Sequence, residues 1–435
     1  MTPGPGPGPA STPAPAPAPA PASVSTAPGR RERLVAAGRD LVERGRPVVL
    51  PTLVLWFLAA VVTTVYLHPF DVTEYERYAH AALRAPLLHR LPAEYPAPAL
   101  VVFLAPLLLP VAYPWAFALL AGVTLLVLAT GYERSGIPGW DARNAGRLII
   151  YLAIGSVMVL AGRYDIFATA AAFLSLRAAR RDRWSAAWTW STVGVALKLF
   201  PAAFWPVFLI AEWRTTGRVP ARRLWWVAGS AVLVAGVPAL LDRGAVLNVV
   251  HYYLHRPTEM GSLPAGLSVL LDWHGTSWVA SFHSVNVVSS VTAGLGTALE
   301  LAALAGCLWT WWAQARGRLP LEAACLATLT LAVLGSKVLS VQYLIWLMPL
   351  WALYRLRVSW LLASAANLVV FPYVASATHF GYVPGHAFAV SLTLTFFARD
   401  LLVVAGTGAW LRSVRADPRP GTPGARGTPG ASRHR

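Results

Sequence analysis

The sequence contains few charged residues and especially few carboxylates. Only 13% of its 435 residues are charged, and 19 Asp and Glu stand against 36 Lys and Arg. Soluble domains average about 25% charged residues, so this content argues against an ordinary soluble protein. Lysine is nearly absent, because Lys198 and Lys337 are the only two in the chain. Where carboxylates are this scarce, a group of them at one place is a candidate for chemistry.

Cysteine and metal-binding patterns are also scarce. Cys307 and Cys325 both lie in apolar stretches, so the chain offers neither a disulfide framework nor a zinc pattern. It has no Asp-x-Asp pair, and Asp71-x-x-Glu74 would be an incomplete ligand set for a divalent ion. The sequence therefore favours a function without a metal or other cofactor, although a divalent ion stays possible.

Apolar residues are abundant. They make up 56% of the chain and recur as stretches of roughly 14–25 residues, the lengths of straight, tilted or paired short spanning helices. We predict an all-α, polytopic integral membrane protein with about 12 transmembrane helices. The predicted spans lie near 48–67, 114–131, 148–161, 165–177, 184–198, 200–212, 224–241, 287–312, 321–336, 341–354, 358–375 and 387–410.

The net charge of +17 indicates membrane topology rather than nucleic-acid binding, because the arginines form clusters between apolar segments. The positive-inside rule places these clusters in the cytoplasm. This predicts a plasma-membrane protein with both termini inside, and it places Asp71 and every histidine except His434 on the outer side. The clusters lie at 30–46, 134–147, 177–183, 214–223, 316–318, 355–357 and from 412 onward.

The segment 97–111 is predicted not to cross, although it is apolar. It contains several prolines and continues into the next span without a charged loop. If it crossed, the later arginine clusters would move to the outside, against the positive-inside rule. We predict an interfacial helix in the first outer loop.

The two ends of the chain differ in composition from the middle. Residues 1–47 begin with alternating Pro, Ala and Gly and end in a basic juxtamembrane segment, and 412–435 are rich in Arg, Pro and Gly. Neither composition can bury a core, so we predict two disordered cytoplasmic tails around a membrane domain at 48–411. The basic tail would contact anionic membrane lipids.

Asp71 is the strongest single candidate for chemistry. It follows the first predicted span, and Asp71, Glu74 and Glu76 place three carboxylates within six residues. A carboxylate at the outer surface can accept a proton from a hydroxyl group, and Glu74 lies one helical turn away if a helix begins at Asp71. The alternative is a solvated loop that follows a helix end.

Two pairs of predicted spans are short enough that their tips would tuck into the membrane. The hairpins 148–177 and 184–212 have tips at Gly162–Asp165 and Lys198–Pro201. Charges at such depth usually face a cavity or a partner. The alternatives are a structural Arg163–Asp165 pair and a Lys198 side chain that extends to the interface.

Several of these stretches resemble the GT-C superfamily of membrane glycosyltransferases. The greatest similarity is to glycosyltransferase family 87, the polyprenyl-phosphate-mannose-dependent α-mannosyltransferases, and it covers roughly 48–400. Gly261 stands where that family often has an acid. The matching stretches are Asp71 with the downstream Glu94-Tyr95-Pro96-Ala97-Pro98, Gly162-Arg163-Tyr164-Asp165-Ile166-Phe167, Ala196-Leu197-Lys198-Leu199-Phe200-Pro201, His255–Leu263 and Ser336–Trp346.

The resemblance implies a GT-C-like fold and an inverting transferase. The donor would be a polyprenyl-phosphate-linked sugar, with mannose first and arabinose or glucose as alternatives. The acceptor would be a hydroxyl of a glycolipid, another glycan or a protein at the outer membrane face. Such a reaction needs a base, cations for the leaving phosphate and groups that orient the sugar. Asp71 is the predicted base, with Glu74 as the fallback.

The remaining candidates divide between the phosphate and the sugar. Arginine can bind phosphate oxygens through two parallel bonds, whereas lysine acts as a point charge. The alternative for His255 and Arg256 is pairing with lipid head groups, for Lys337 a helix-end cation, and for Gln342 and Tyr343 helix capping. The predicted phosphate-binding residues are Arg256, Lys337, Lys198 and His251. The predicted substrate-binding residues are Tyr75, Glu94, Tyr95, Arg163, Asp165, His255, Gln342 and Tyr343.

Two other functions compete with transfer. A transporter or lipid flippase would place its polar site near the midplane and show an internal repeat, and neither feature is evident. A non-catalytic membrane scaffold would have no need of Asp71. Two in-span features have no assigned role: Arg399-Asp400 is predicted to be an internal charge pair, and Glu300 lacks an obvious partner.

Overall fold

The computed structural model describes residues 1, 4, 47–67, 70–84, 91–92, 94–241, 243–380 and 385–416. The predicted tails lie almost entirely outside these residues. The last helix, however, continues past 411 to Ala416. Most of the described chain is helical.

The helices are numbered in chain order. A π-helical turn at Val62–Leu67 overlaps the end of α1, and 3₁₀ turns flank α3 and precede α9. The helices are α1 (Pro47–Val65), α2 (Phe70–Leu83), α3 (Leu100–Leu104), α4 (Tyr113–Glu133), α5 (Ala142–Gly155), α6 (Val157–Leu160), α7 (Asp165–Ala179), α8 (Trp184–Leu197), α9 (Phe204–Thr216), α10 (Leu224–Ala231), α11 (Val237–Leu241), α12 (Arg243–His255), α13 (Leu263–Leu271), α14 (Thr292–Ala315), α15 (Leu321–Gly335), α16 (Leu344–Trp351), α17 (Val358–Phe380) and α18 (His386–Ala416).

Within the described residues, five helical stretches are long and apolar enough to cross a membrane. This supports the prediction of a helical membrane protein with several spans. Each of the twelve predicted segments is largely helical, but most of the other seven are shorter or broken. The twelve crossings and the GT-C fold therefore stay predictions. The five stretches are Pro47–Val65, Tyr113–Glu133, Ala221–Leu241, Thr292–Ala315 and His386–Val414.

The apolar segment Ala97–Leu108 is a short helical element. Prolines divide it into a 3₁₀ turn, the single helical turn of α3 and a second 3₁₀ turn. At 1.5–2.0 Å per residue it is about 20 Å long, which is too short to cross a bilayer upright. Leu100 and Phe103 are buried against α2, with Val72 and Tyr75 in the same cluster. The segment is therefore a short helical element packed on α2, and its place at the outer interface stays a prediction.

The structure also contains a small antiparallel sheet that the all-α prediction missed. Its strands are β1 (Thr258–Glu259), β2 (Ser277–Ser281) and β3 (Ser284–Val288), in the order β1-β3-β2. β3 occupies the start of the span predicted at 287–312, so α14 begins later, at Thr292. Strands this short carry too few alternations for a sequence pattern to identify them.

A tight contact between α7 and α8 brings two polar tips together. α7 begins at Asp165, and α8 ends at Leu197, immediately before Lys198. Gly194 in α8 leaves room for Ala171 of α7 and for the Pro201 ring, because an added Cβ would lie 3.4 Å from the Ala171 side chain and 2.9 Å from the ring. The antiparallel pairing of the two helices thus places Lys198 beside Asp165.

Candidate active site

One cavity collects several of the charged residues that the sequence singled out. It contains about 990 Å³ of empty space, part of which is open to solvent. We call it the central cavity. Its charged and hydrogen-bonding side chains are Asp71, Glu94, Tyr95, Arg163, Lys198, Tyr252, Tyr253, Arg256, Glu259, His283, Ser284, Ser340, Gln342 and Tyr343.

Asp71 lies in the first turn of α2, where the helix dipole favours a carboxylate. Its Oδ1 accepts a hydrogen bond from Arg163 Nη1 at 2.6 Å. Burial raises the pKa of the Asp71 carboxyl above its ordinary value of 3.8, although the Arg163 guanidinium acts in the opposite direction. A higher pKa makes the ionised carboxylate a stronger proton acceptor.

Lys198 and Asp165 form a second ion pair at the cavity wall. Lys198 Nζ lies 2.6 Å from Asp165 Oδ1, which also accepts a 2.7 Å hydrogen bond from Trp346 Nε1. The ammonium group lies 5.0–5.2 Å from the ring centroids of Tyr164, Tyr343 and Trp346. Lys198 lines the cavity, whereas Asp165 is almost completely buried behind it.

These two ion pairs decide between two interpretations of the charged tips that the sequence left open. The alternative of a structural Arg163–Asp165 pair is wrong, because Arg163 binds Asp71 and Asp165 binds Lys198. The alternative in which Lys198 extends to the interface is also wrong, because its ammonium is bound inside the protein.

A third charged pair comes from the segment between α12 and α13. Arg256 Nη2 lies 3.4 Å from Glu259 Oε2, and Glu259 Oε1 accepts a 2.5 Å hydrogen bond from Ser340 Oγ. Sequence reasoning quoted Glu259 within a motif but gave it no role. The motif's usual acid position, Gly261, has no room for a side chain, because an added Cβ would lie 2.6 Å from the Leu339 carbonyl oxygen. Glu259 supplies the carboxylate of this segment instead.

The β2–β3 hairpin reaches the cavity through its two-residue tip. Phe282 and His283 have φ values of 53° and 54°, a left-handed conformation that costs energy in residues with side chains. His283 Nδ1 lies 3.3 Å from Glu94 Oε1, and Tyr253 donates to the Glu94 carbonyl oxygen at 3.1 Å. Burial raises the pKa of the Glu94 carboxyl, and His283 opposes that shift. Sequence reasoning missed this hairpin contact, because no local pattern connects residues so far apart.

Two predicted residues on α2 point away from the central cavity. The carboxylate of Glu74, although one turn from Asp71 as expected, lies 2.5 Å from Arg77 Nη1. Tyr75 is buried and stacks on Phe103 with ring centroids 4.5 Å apart. Neither side chain lines the cavity. Tyr75 instead anchors α2 to the short helical element Ala97–Leu108.

Three predicted residues also lie outside the central cavity: His251 and His255 in the last turns of α12, and Lys337 in the loop after α15. His251 and His255 stack on each other with ring centroids 4.0 Å apart. Lys337 faces a second, neighbouring cavity, which also contains Arg256. Of the four predicted phosphate-binding residues, Arg256 and Lys198 line the central cavity, and Lys337 and His251 do not.

A buried polar network supports the cavity from behind. Arg399 and Asp400 are fully buried and lie 2.8 Å apart, which confirms the predicted internal charge pair. Arg399 also donates to the Gly261 carbonyl oxygen at 2.6 Å and to Asn367 Oδ1 at 3.1 Å. Asn367 in turn donates to the Val341 carbonyl oxygen at 2.9 Å. One arginine thus connects the two loops that carry Glu259 and Gln342.

Known proteins give no further guide to this site. No family model matches the chain, and no curated protein matches it. Among the described residues, no group of three or more His, Cys, Asp or Glu side chains is arranged to hold a metal ion. Metal independence stays a prediction.

Proposed function

We propose that the protein is an inverting glycosyltransferase that moves a sugar, with mannose first, from a polyprenyl phosphate to an acceptor hydroxyl. The proposal includes a GT-C-like fold of about 12 crossings with both termini cytoplasmic and the central cavity on the outer face. The observation that carries it is that the Asp71 carboxylate shares one cavity with Lys198 and Arg256. A base and cations in one polar cavity of a membrane protein are what this reaction requires.

Asp71 acts as the general base. The acceptor oxygen attacks the anomeric carbon, the bond from that carbon to the phosphate oxygen breaks, and the hydroxyl proton passes to Asp71. Arg163, bonded to Asp71 Oδ1, fixes the orientation of the carboxylate. Attack opposite to the leaving phosphate inverts the anomeric configuration.

Arg256 and Lys198 stabilise the charge that grows on the leaving phosphate. Arg256 Nε is buried without a hydrogen-bond partner among the described residues, and the 3.4 Å Arg256–Glu259 contact is long for a charged pair. The guanidinium therefore retains hydrogen-bonding capacity for phosphate oxygens. Lys198 adds a point charge at the same cavity.

Gln342 and Tyr343 orient the donor sugar. Gln342 Oε1 is buried and has no hydrogen-bond partner among the described residues, although Gln342 lines the cavity. A sugar hydroxyl would satisfy this oxygen, and an unsatisfied buried acceptor costs roughly 1–3 kcal/mol. Tyr343 stacks on Trp346 at 3.9 Å, so its ring is held in place.

The direct test is sugar transfer by the purified full-length chain in host-lipid membranes. Polyprenyl phosphates carrying labelled mannose, arabinose or glucose are supplied with a lipid and polysaccharide extract as acceptor. We expect one labelled product whose new linkage has the opposite anomeric configuration to the donor. A retained configuration would refute the inverting mechanism. Movement of intact donor across the bilayer without any new glycosidic bond would instead support a flippase.

The raised pKa of Asp71 gives the reaction a characteristic pH dependence. Only the ionised carboxylate accepts a proton, so the rate falls as pH falls through the pKa of Asp71. Because burial raises this pKa, the acid limb of kcat/KM should lie above 3.8, the ordinary value for aspartate. The pH profile of transfer measures this limb, and the residual activity of Asp71→Asn should lack it. A limb at the same pH in that variant would assign it to another group, with Glu94 the next candidate.

A further inference from the structure

A second cavity adjoins the central cavity at Arg256. It contains about 740 Å³ of empty space, part of which is open to solvent, and α14 forms one of its walls. We call it the side cavity. Besides Arg256, its polar side chains are Thr258, Ser289, Thr292, Thr297, Glu300 and Lys337.

Lys337 is a cation without a carboxylate partner. Its Nζ donates to the Leu254 carbonyl oxygen at 3.3 Å, and within the described ranges no carboxylate lies within 4.0 Å of it. Lys198 and Arg163, in contrast, each contact a carboxylate at 2.6 Å. The Lys337 ammonium is therefore available to bind an anionic group of a ligand.

Glu300 is a carboxylate without a cation partner among the described residues. It lies in α14, about 12 Å along the helix from Thr292, and its side chain is exposed. α14 is long and apolar enough to cross a membrane, and most of its surface is unburied. A carboxylate at this depth is costly unless it finds a partner, and no described cation lies within 4.0 Å.

The side cavity contains one cation and one carboxylate, Lys337 and Glu300, that do not pair with each other. Arg256 has Glu259 as its partner, so the positive Lys337 and the negative Glu300 are the two charged side chains of this cavity that lack a charged partner among the described residues. A purely anionic ligand would attract Lys337 and repel Glu300. A ligand that carries a phosphate and an ammonium group would satisfy both.

The surface next to Glu300 favours a lipid as the carrier of these two groups. Leu304 lies one turn beyond Glu300 on the same face of α14, and Leu301 and Leu308 extend this face. All three leucines are exposed, so hydrocarbon chains can lie along them. We propose that the side cavity binds the head group of a zwitterionic phospholipid, with phosphate at Lys337 and ammonium at Glu300. This site does not depend on sugar transfer.

Native mass spectrometry of the delipidated, full-length protein tests the site. The protein is mixed with equal amounts of phosphatidylethanolamine, phosphatidylglycerol and a prenyl monophosphate, with and without inorganic phosphate. We expect phosphatidylethanolamine to be retained about tenfold more than the other two, since one charge-assisted hydrogen bond distinguishes them. Inorganic phosphate should not displace it.

The variants separate the two charges. Lys337→Met should lower retention of phosphatidylethanolamine about tenfold, and Glu300→Gln should remove its advantage over phosphatidylglycerol. Arg218→Met changes an exposed arginine outside both cavities and should leave retention unchanged. An unaltered melting temperature without lipid would show that each variant folds.

Three results would overturn the proposal. Preferred retention of the prenyl monophosphate would make the side cavity part of a donor site. Displacement by inorganic phosphate would indicate a simple anion site. Equal loss in Arg218→Met and Lys337→Met would mean that surface charge, not the cavity, retains the lipid.

Discussion

Asp71→Asn is expected to reduce sugar transfer by about 10²–10⁴-fold, the usual contribution of a positioned general base. Asparagine has nearly the same shape, and its amide oxygen can still accept the 2.6 Å hydrogen bond from Arg163. What it cannot do is accept the hydroxyl proton. The loss should therefore appear in kcat for the donor, with little change in KM. Transfer measured at equal protein concentration, with expression and melting temperature matched to wild type, gives this result.

Glu74→Gln is the matched control, because it removes a carboxylate one turn further along α2. Glu74 is buried and does not line the central cavity, and its partner Arg77 is exposed, so the substitution weakens an i,i+3 pair worth about 0.5 kcal/mol or less. We expect near-normal transfer. If Asp71→Asn is fully active while Glu74→Gln is not, the base assignment is wrong and Glu74 takes the role.

Arg399→Met is expected to destabilise the protein by about 3–5 kcal/mol, because it leaves Asp400 as an unpaired charge in a fully buried position. The substitution also leaves the Gly261 carbonyl oxygen and Asn367 Oδ1 without their 2.6 Å and 3.1 Å hydrogen bonds. The two cavity loops then lose their common anchor. Denaturant-induced unfolding in detergent, followed by tryptophan fluorescence, measures the loss.

A double variant distinguishes the effect of the unpaired Asp400 charge from the effect of losing the Arg399 hydrogen bonds to the loops. Arg399→Met combined with Asp400→Leu removes both buried charges and should recover much of the stability, since a buried ion pair contributes little net free energy. It should not recover transfer, because the loops that carry Glu259 and Gln342 stay unanchored. Full recovery of both stability and transfer would refute the anchoring role. A single variant as stable as wild type would refute the expected cost of the unpaired Asp400.

The sequence identified the charged residues that line the central cavity more successfully than it identified which of them form ion pairs. Asp71, Arg163, Lys198 and Arg256 were all selected, because a scarce charge next to an apolar helix is visible without a structure. The pairing was not visible. Arg163 and Asp165 are two residues apart in the chain, yet their partners come from α2 and from the end of α8.

The residues that sequence reasoning missed lie on elements with weak local signals. Glu259 belongs to a two-residue strand, and His283 belongs to a hairpin tip without the glycine or asparagine that usually marks such a turn. Their positions depend on pairing with β3, which no short window of sequence contains. For Lys337 the charge was evident from the sequence, but the cavity that it faces was not.

The sequence by itself determined the helices and the apolar character of the protein, because helix formation in apolar segments depends on neighbours in the chain. The proline-broken segment Ala97–Leu108 and the scarcity of carboxylates could be recognised for the same reason. Only the tertiary structure decided which charges meet and which cavity each one faces. Burial makes every unpaired charge costly, so the partner that packing brings within reach fixes the role of each charged side chain.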